Sequence, residues 1–162
     1  MATQSQTMTN QQQGPRPNTT ILAHVVVDDS GSAIDYKLKP GNAKSGPYVT
    51  GHRKIDIPQG PDLYTIEFHL VDTDSQRKLA FDSAMPICAV DGTNCPTSGG
   101  ISTKQLKQPD PVKAKKLTIE DYNFVAGSVC FSLFFVDENG GQPVEPFDPI
   151  ISNRGGGTPP VE

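Results

Sequence analysis

Cysteine is scarce in this chain of 162 residues, with three in all. No apolar run approaches the ~20 residues a helix needs to cross a bilayer. Three thiols are too few, and odd in number, for the cysteine-dense framework of a small secreted domain. They contain no C-x-x-C pair, so their spacing offers no footing for structural zinc. Positive charge is also short: 14 Lys and Arg face 18 Asp and Glu, a net charge of −4. That balance repels phosphate backbones and anionic lipid on average, so neither nucleic acid nor membrane is expected as a partner. The opening MATQSQTMTNQQQGPRPN has no basic start followed by an apolar run, which excludes the secretory-signal pattern. We expect a cytoplasmic protein.

Helical periodicity is missing as well. What recurs is a period of two, the mark of half-buried strands. In LYTIEFHLV, Tyr64, Ile66, Phe68 and Leu70 share one face, while Thr65, Glu67 and His69 take the other. The run FVAGSVCFSLFFV, Phe124–Val136, reads as a central strand covered on both sides for part of its length. TTILAHVVV, AIDYKL, RKIDI, RKLAF, AMPICAV, KLTIEDY and PVEPFDPII are further strand candidates, each bounded by Gly, Pro, Asn or Asp. About eight or nine short strands in a chain long enough for one core predict an all-β fold. The expected form is a single antiparallel β-sandwich of immunoglobulin-like size over 19–151. A flexible polar segment (1–18) precedes it and a flexible tail (152–162) follows. One helical turn is compatible with STKQLK, Ser102–Lys107.

The connection from Asp91 to Lys115 is long for a compact sandwich, and loops of that length tend to be functional or disordered. It carries Lys104, Lys107, Lys113, Lys115 and Lys116 without the interleaved aromatics that stack on bases. An acidic partner or plain solvation fits it better than nucleic acid. Four strands end in Val-Asp before a polar turn, at VVDDSG, LVDTDS, AVDGTN and FVDENG. Asp, Asn and Gly are what strand ends look like before a hairpin. The functional alternative gathers Asp28, Asp29, Asp72, Asp74, Asp137 and Glu138 at one rim to bind Ca²⁺ through carboxylate oxygens.

Cys88 and Cys95 flank a turn short enough for a disulfide, but a reducing compartment opposes the bond. Reduced thiols are the expectation, with Cys130 a small core hydrophobe. His24, His52 and His69 stand apart from any nucleophile motif, so no catalytic, cofactor-binding or metal residue is assigned and no cofactor is implied. Tyr64 follows a Pro-Gly corner and reads as structural. PGNAKSGPYVTG is turn chemistry throughout, with Tyr48 a possible exposed contact.

The closing VEPFDPIISNRGGG carries an EP pair at Glu145–Pro146 and a DP pair at Asp148–Pro149, followed by Asn153. With the all-β pattern this resembles the small bacterial DP-EP family. The resemblance implies one β-sandwich domain and a bacterial source, and carries over no activity. Locally, Pro146 and Pro149 confine the segment to an edge or a bulge, and Asp148 and Asn153 are placed to cap the departing turn. The functional expectation is a non-catalytic protein that binds a protein or small ligand, with self-association through strand edges as one route. A calcium-responsive module and a thiol- or metal-dependent enzyme are the alternatives.

Overall fold

The computed structural model describes residues 17–28, 34–74 and 77–160, with the backbone alone for 72–74. The fold is all-β. Its strands are β1 (Asn18–Asp28), β2 (Asp35–Pro40), β3 (Val49–Gly51), β4 (Lys54–Ile57), β5 (Leu63–Asp74), β6 (Leu79–Phe81) and β7 (Ile87–Asp91). They continue with β8 (Leu106–Lys107), β9 (Lys116–Asp121), β10 (Ala126–Leu133), β11 (Phe135–Asp137), β12 (Gln142–Pro143) and β13 (Ile150–Arg154). Two five-stranded sheets, ordered β2-β1-β5-β9-β8 and β3-β4-β13-β10-β7, are joined by a three-stranded one, β12-β11-β6.

Alternation decides which side chains the sheets enclose. Ile21, Ala23, Val25 and Val27 of β1 are buried, as are Ile66 and Phe68 of β5 and Leu117 and Ile119 of β9. Their counterparts Val129, Phe131 and Ile151 come from the second sheet, and all belong to one core. Phe68 meets Phe131 across it at 5.5 Å between ring centroids. Each such side chain contributes roughly 1.5–3 kcal/mol by leaving water.

The pairing is not purely antiparallel, as the sequence had suggested. β1 runs parallel to β5, and β13 parallel to β4. After β2 the chain crosses to the second sheet for the β3–β4 hairpin and returns as β5. β2 has already reversed the chain against β1, so β5, entering on the other side of β1 and opposite in direction to β2, runs parallel to β1. Thirteen strands among the described residues exceed the expected eight or nine, because two expected strands are each divided. Phe124–Val136 breaks at Phe134, whose N–H donates to Pro86 O at 2.9 Å and whose carbonyl accepts from Asp82 N at 2.9 Å. β11 thereby passes into the third sheet. PVEPFDPII yields only the ends of β12 and β13, the two prolines leaving Phe147 bridged to Leu133 between them. Two more, β3 and β8, were not expected.

Ser102–Lys107 holds no helical turn; it ends in β8, where Leu106 pairs with Asp121. The only helical element among the described residues is the 3-10 turn Ala43–Ser45, capped by Asn42 Oδ1, which accepts from Ser45 N at 3.0 Å. Ser45 is fully buried. Tyr48 beyond it is half-buried against the core and edge-on to Tyr64, so the expected exposed contact is instead packing. The C-terminal boundary also moves, since β13 runs to Arg154 and Gly155 is buried. The expected polar N-terminal segment lies almost wholly outside the described residues.

Candidate functional site

The long connection after β7 is folded onto the sheets. Ile101 forms a parallel bridge to Ala89. Next comes a chain of polar bonds. Thr103 Oγ1 donates to Asp91 Oδ1 at 2.6 Å and accepts from Gln105 N at 3.1 Å. The Gln105 side chain then spans to the next element, its Oε1 accepting from Phe124 N at 2.9 Å and its Nε2 donating to Val125 O at 2.5 Å. Thr103 and Gln105 are both buried. Removing the amide strands a donor and an acceptor, a cost of about 1–3 kcal/mol by the usual penalty for unmatched buried groups. Gln105→Ala is therefore expected to lower unfolding free energy by about 2 kcal/mol in a urea titration; an unchanged midpoint would show that water replaces the side chain.

Two adjoining clefts open beside this chain. One, of about 650 Å³, has an apolar wall of Ile101, Leu106, Phe124, Pro159 and Pro160, with Lys104 and Lys107 at its edge. The other, of about 680 Å³, is bounded by Asp91, Gln105, Val125 and the backbone at Gly92 and Gly127. Thr103, Lys104 and Phe124 border both. Val125, 53% accessible, is the one large hydrophobic residue exposed among the described residues. Volumes of this size fall within the usual range for ligand pockets.

At the end of β9, just before Phe124, lies a sealed polar cluster. Asp121 ends the inward row Leu117, Ile119, Asp121 of β9 and is wholly buried. Its Oδ1 accepts from Asn123 N and from Asn153 Nδ2, both at 2.9 Å. Asp121 Oδ2 and Asn153 Oδ1 are buried with no partner. A carboxylate and a carboxamide joined this way are one proton short, because a proton on Oδ2 would turn one unmatched acceptor into a donor. Burial pushes the Asp121 carboxyl up to about 7, against the two hydrogen bonds that pull it down. Tyr64, its register partner on β5, is likewise pushed up to about 12, by burial first and then by Tyr48, Asp62 and Asp121.

Asn123 turns the chain out of this cluster toward Phe124. Its φ of 48° lies in the left-handed region, which asparagine tolerates. Its amide is fully used: Nδ2 donates to Pro58 O at 2.9 Å, and Oδ1 accepts from Gly155 N at 2.9 Å. Gly157 N donates to Asn123 O at 2.8 Å, and a Cβ on Gly157 would run into the carbonyl oxygen of Tyr122. The glycines that looked like a flexible tail let the backbone pass close to β9, which brings Pro159 and Pro160 to the cleft.

The other residues singled out in the sequence fall as follows. Lys104 and Lys107 line the cleft, and Lys113 borders a separate hollow with Asp110. Lys115 Nζ donates to Leu79 O, and Lys116 pairs with Glu67 at 3.6 Å. His24 and His69, apart in sequence, are register partners with ring centroids 6.2 Å apart on the outer face of the first sheet. His69 Nε2 lies 3.2 Å from Glu67 Oε1. His52 is exposed. Asp28 ends β1 beside the end of β5, whereas Asp29 and the side chains of Asp72 and Asp74 lie outside the described residues. Asp137 Oδ1 accepts from Asn139 N at 3.0 Å and Lys78 N at 3.3 Å, and Glu138 is exposed. Among the described residues no three His, Cys, Asp or Glu stand close enough to hold a metal ion. Asn153 does not cap a turn; it sits inside the polar cluster. Asp148 is exposed.

The cysteines depart furthest from expectation. Cys95 and Cys130 form a disulfide with their Cα atoms 4.8 Å apart, although 35 residues separate them. Cys88 is the free, buried thiol, with Met85 Sδ 3.4 Å away. Local spacing pointed to Cys88 as the neighbour of Cys95. Cys88 stands opposite Ser132, buried but on the face of β7 away from the core residues Ile87 and Ala89, and the connection carries Cys95 past it to Cys130 on β10. No protein-family model and no curated protein matches the chain. No helix among the described residues is long and apolar enough to cross a membrane.

Proposed function

We propose that this is a non-catalytic β-sandwich protein, immunoglobulin-like in size, that binds a ligand or partner on the surface built by residues 91–107 and 124–128. The observation that carries this reading is the pair of clefts that adjoin the Asp91–Thr103–Gln105 chain, which is buried at Thr103 and Gln105, with Val125 exposed beside them. Two sheets closing on one core support the sandwich. The non-catalytic part is supported by the chemistry of the candidates: two cysteines are bonded, the third is buried, and the histidine pair lies on an open sheet face. Membership of the DP-EP family belongs to the same proposal. Its support is that the EP and DP segment is built into the fold, with Glu145 O accepting from the Tyr36 hydroxyl at 2.5 Å and Phe147 and Pro149 buried. The disulfide favours an oxidising compartment over the cytoplasm.

A fragment screen by thermal shift, followed by amide chemical-shift mapping, tests the surface. A ligand at a hundred times its Kd adds roughly 2.7 kcal/mol of stability by mass action. Hits are expected to move Thr103, Gln105, Phe124 and Val125. Hits that map only to the outer face of the first sheet, or no hits at all, would remove the proposal.

A further inference from the structure

The first cleft carries charge of one sign. Lys104 and Lys107 are its charged lining residues and no carboxylate among the described residues joins them, although acids outnumber bases in the chain. Both lysines are exposed, and neither enters an ion pair among the described residues, whereas Lys37, Lys54 and Lys116 pair with Asp35, Asp56 and Glu67. The adjoining cleft is different, because Asp91 offsets Lys104 there.

The rest of the first cleft is apolar. Leu106 is 1% accessible, and Phe124, Ile101 and the two prolines complete a wall of aromatic and ring surface. A bare inorganic anion would leave that wall unused. An uncharged hydrocarbon would cover it but leave the two ammonium groups at its edge without a counter-charge. We infer that the cleft takes a small organic anion, an aryl or alkyl carboxylate or sulfonate, with its body against Phe124 and the prolines and its charged end at Lys104 and Lys107. The inference rests on the binding reading above and adds the ligand class. Lysine suits a single anionic end as a flexible point charge, and two of them give attraction that salt weakens.

The test uses two fluorescent probes of nearly the same shape, 8-anilinonaphthalene-1-sulfonate and its uncharged counterpart N-phenyl-1-naphthylamine, titrated into the full chain. The sulfonate is expected to bind at least tenfold more tightly, to be displaced by decanoate and to weaken in high salt. Lys104→Ala/Lys107→Ala should remove that preference without moving the melting temperature. Phe124→Ala should weaken both probes. Equal binding of the two probes, both weakened by Phe124→Ala and neither by the lysine variant, would overturn the anionic class and keep the binding surface. Binding of neither probe would overturn the inference, and the fragment mapping would then decide the surface separately.

Discussion

Asp121→Asn should flatten the dependence of stability on pH between about 4 and 7 and make the protein more stable than the wild type at pH 8. The wild-type carboxyl releases its proton near 7 in the folded chain and near 3.8 once unfolded. Between those values the native state holds one more proton than the unfolded state. Stability is therefore full below about 3.8 and declines as the pH rises through the window, by up to about 1.4 kcal/mol per unit and roughly 4 kcal/mol in all. This runs opposite to the usual behaviour of a salt-bridged carboxylate. An asparagine at 121 can accept from Asn123 N and Asn153 Nδ2 as Asp121 does, and it carries a permanent donor where the acid has one only when protonated. Urea titrations of both proteins at pH 4.5, 6, 7 and 8 read the effect as a difference, which cancels the other carboxylates. Parallel curves would mean that the cluster holds no titrating proton in this range.

Reducing the Cys95–Cys130 disulfide is expected to cost roughly 4 kcal/mol, the chain-entropy value for a closed loop of this length. The loop it closes includes β8, β9 and most of the residues lining both clefts, so the loss should be felt there first. Cys95→Ala/Cys130→Ala isolates the bond without burying a new hydroxyl. Denatured and unreduced, the wild type should show one reactive thiol, that of Cys88, and three after reduction. Three thiols before reduction, or an unfolding midpoint insensitive to reductant, would contradict the pairing.

Much of the β structure was legible because its signal is local. Alternation in Asn18–Asp28, Leu63–Val71 and Lys116–Asp121 states which side chains turn inward whatever the strands pair with. The same alternation puts Asp121 in line with Leu117 and Ile119 within KLTIEDY, so the buried acid had a local signal. Other features had no local trace. Cys95 and Cys130 meet only because the connection folds across β10, and His24 meets His69 only because β1 and β5 run parallel. Gln105 lies in a stretch with no periodicity at all. Its importance comes from Phe124 and Val125, nineteen and twenty residues further on.

β13, the last of the described strands along the chain, takes an interior place in its sheet, between β4 and β10. Until those five residues dock, β4 and β10, the strands that will flank them, must wait with exposed borders, 68 residues of chain (58–125) between the two. Closure of this sheet is therefore a late, long-range event, slow by the rule that distant partners find each other slowly. Intermediates stalled before that step would offer the open borders on which aggregates grow.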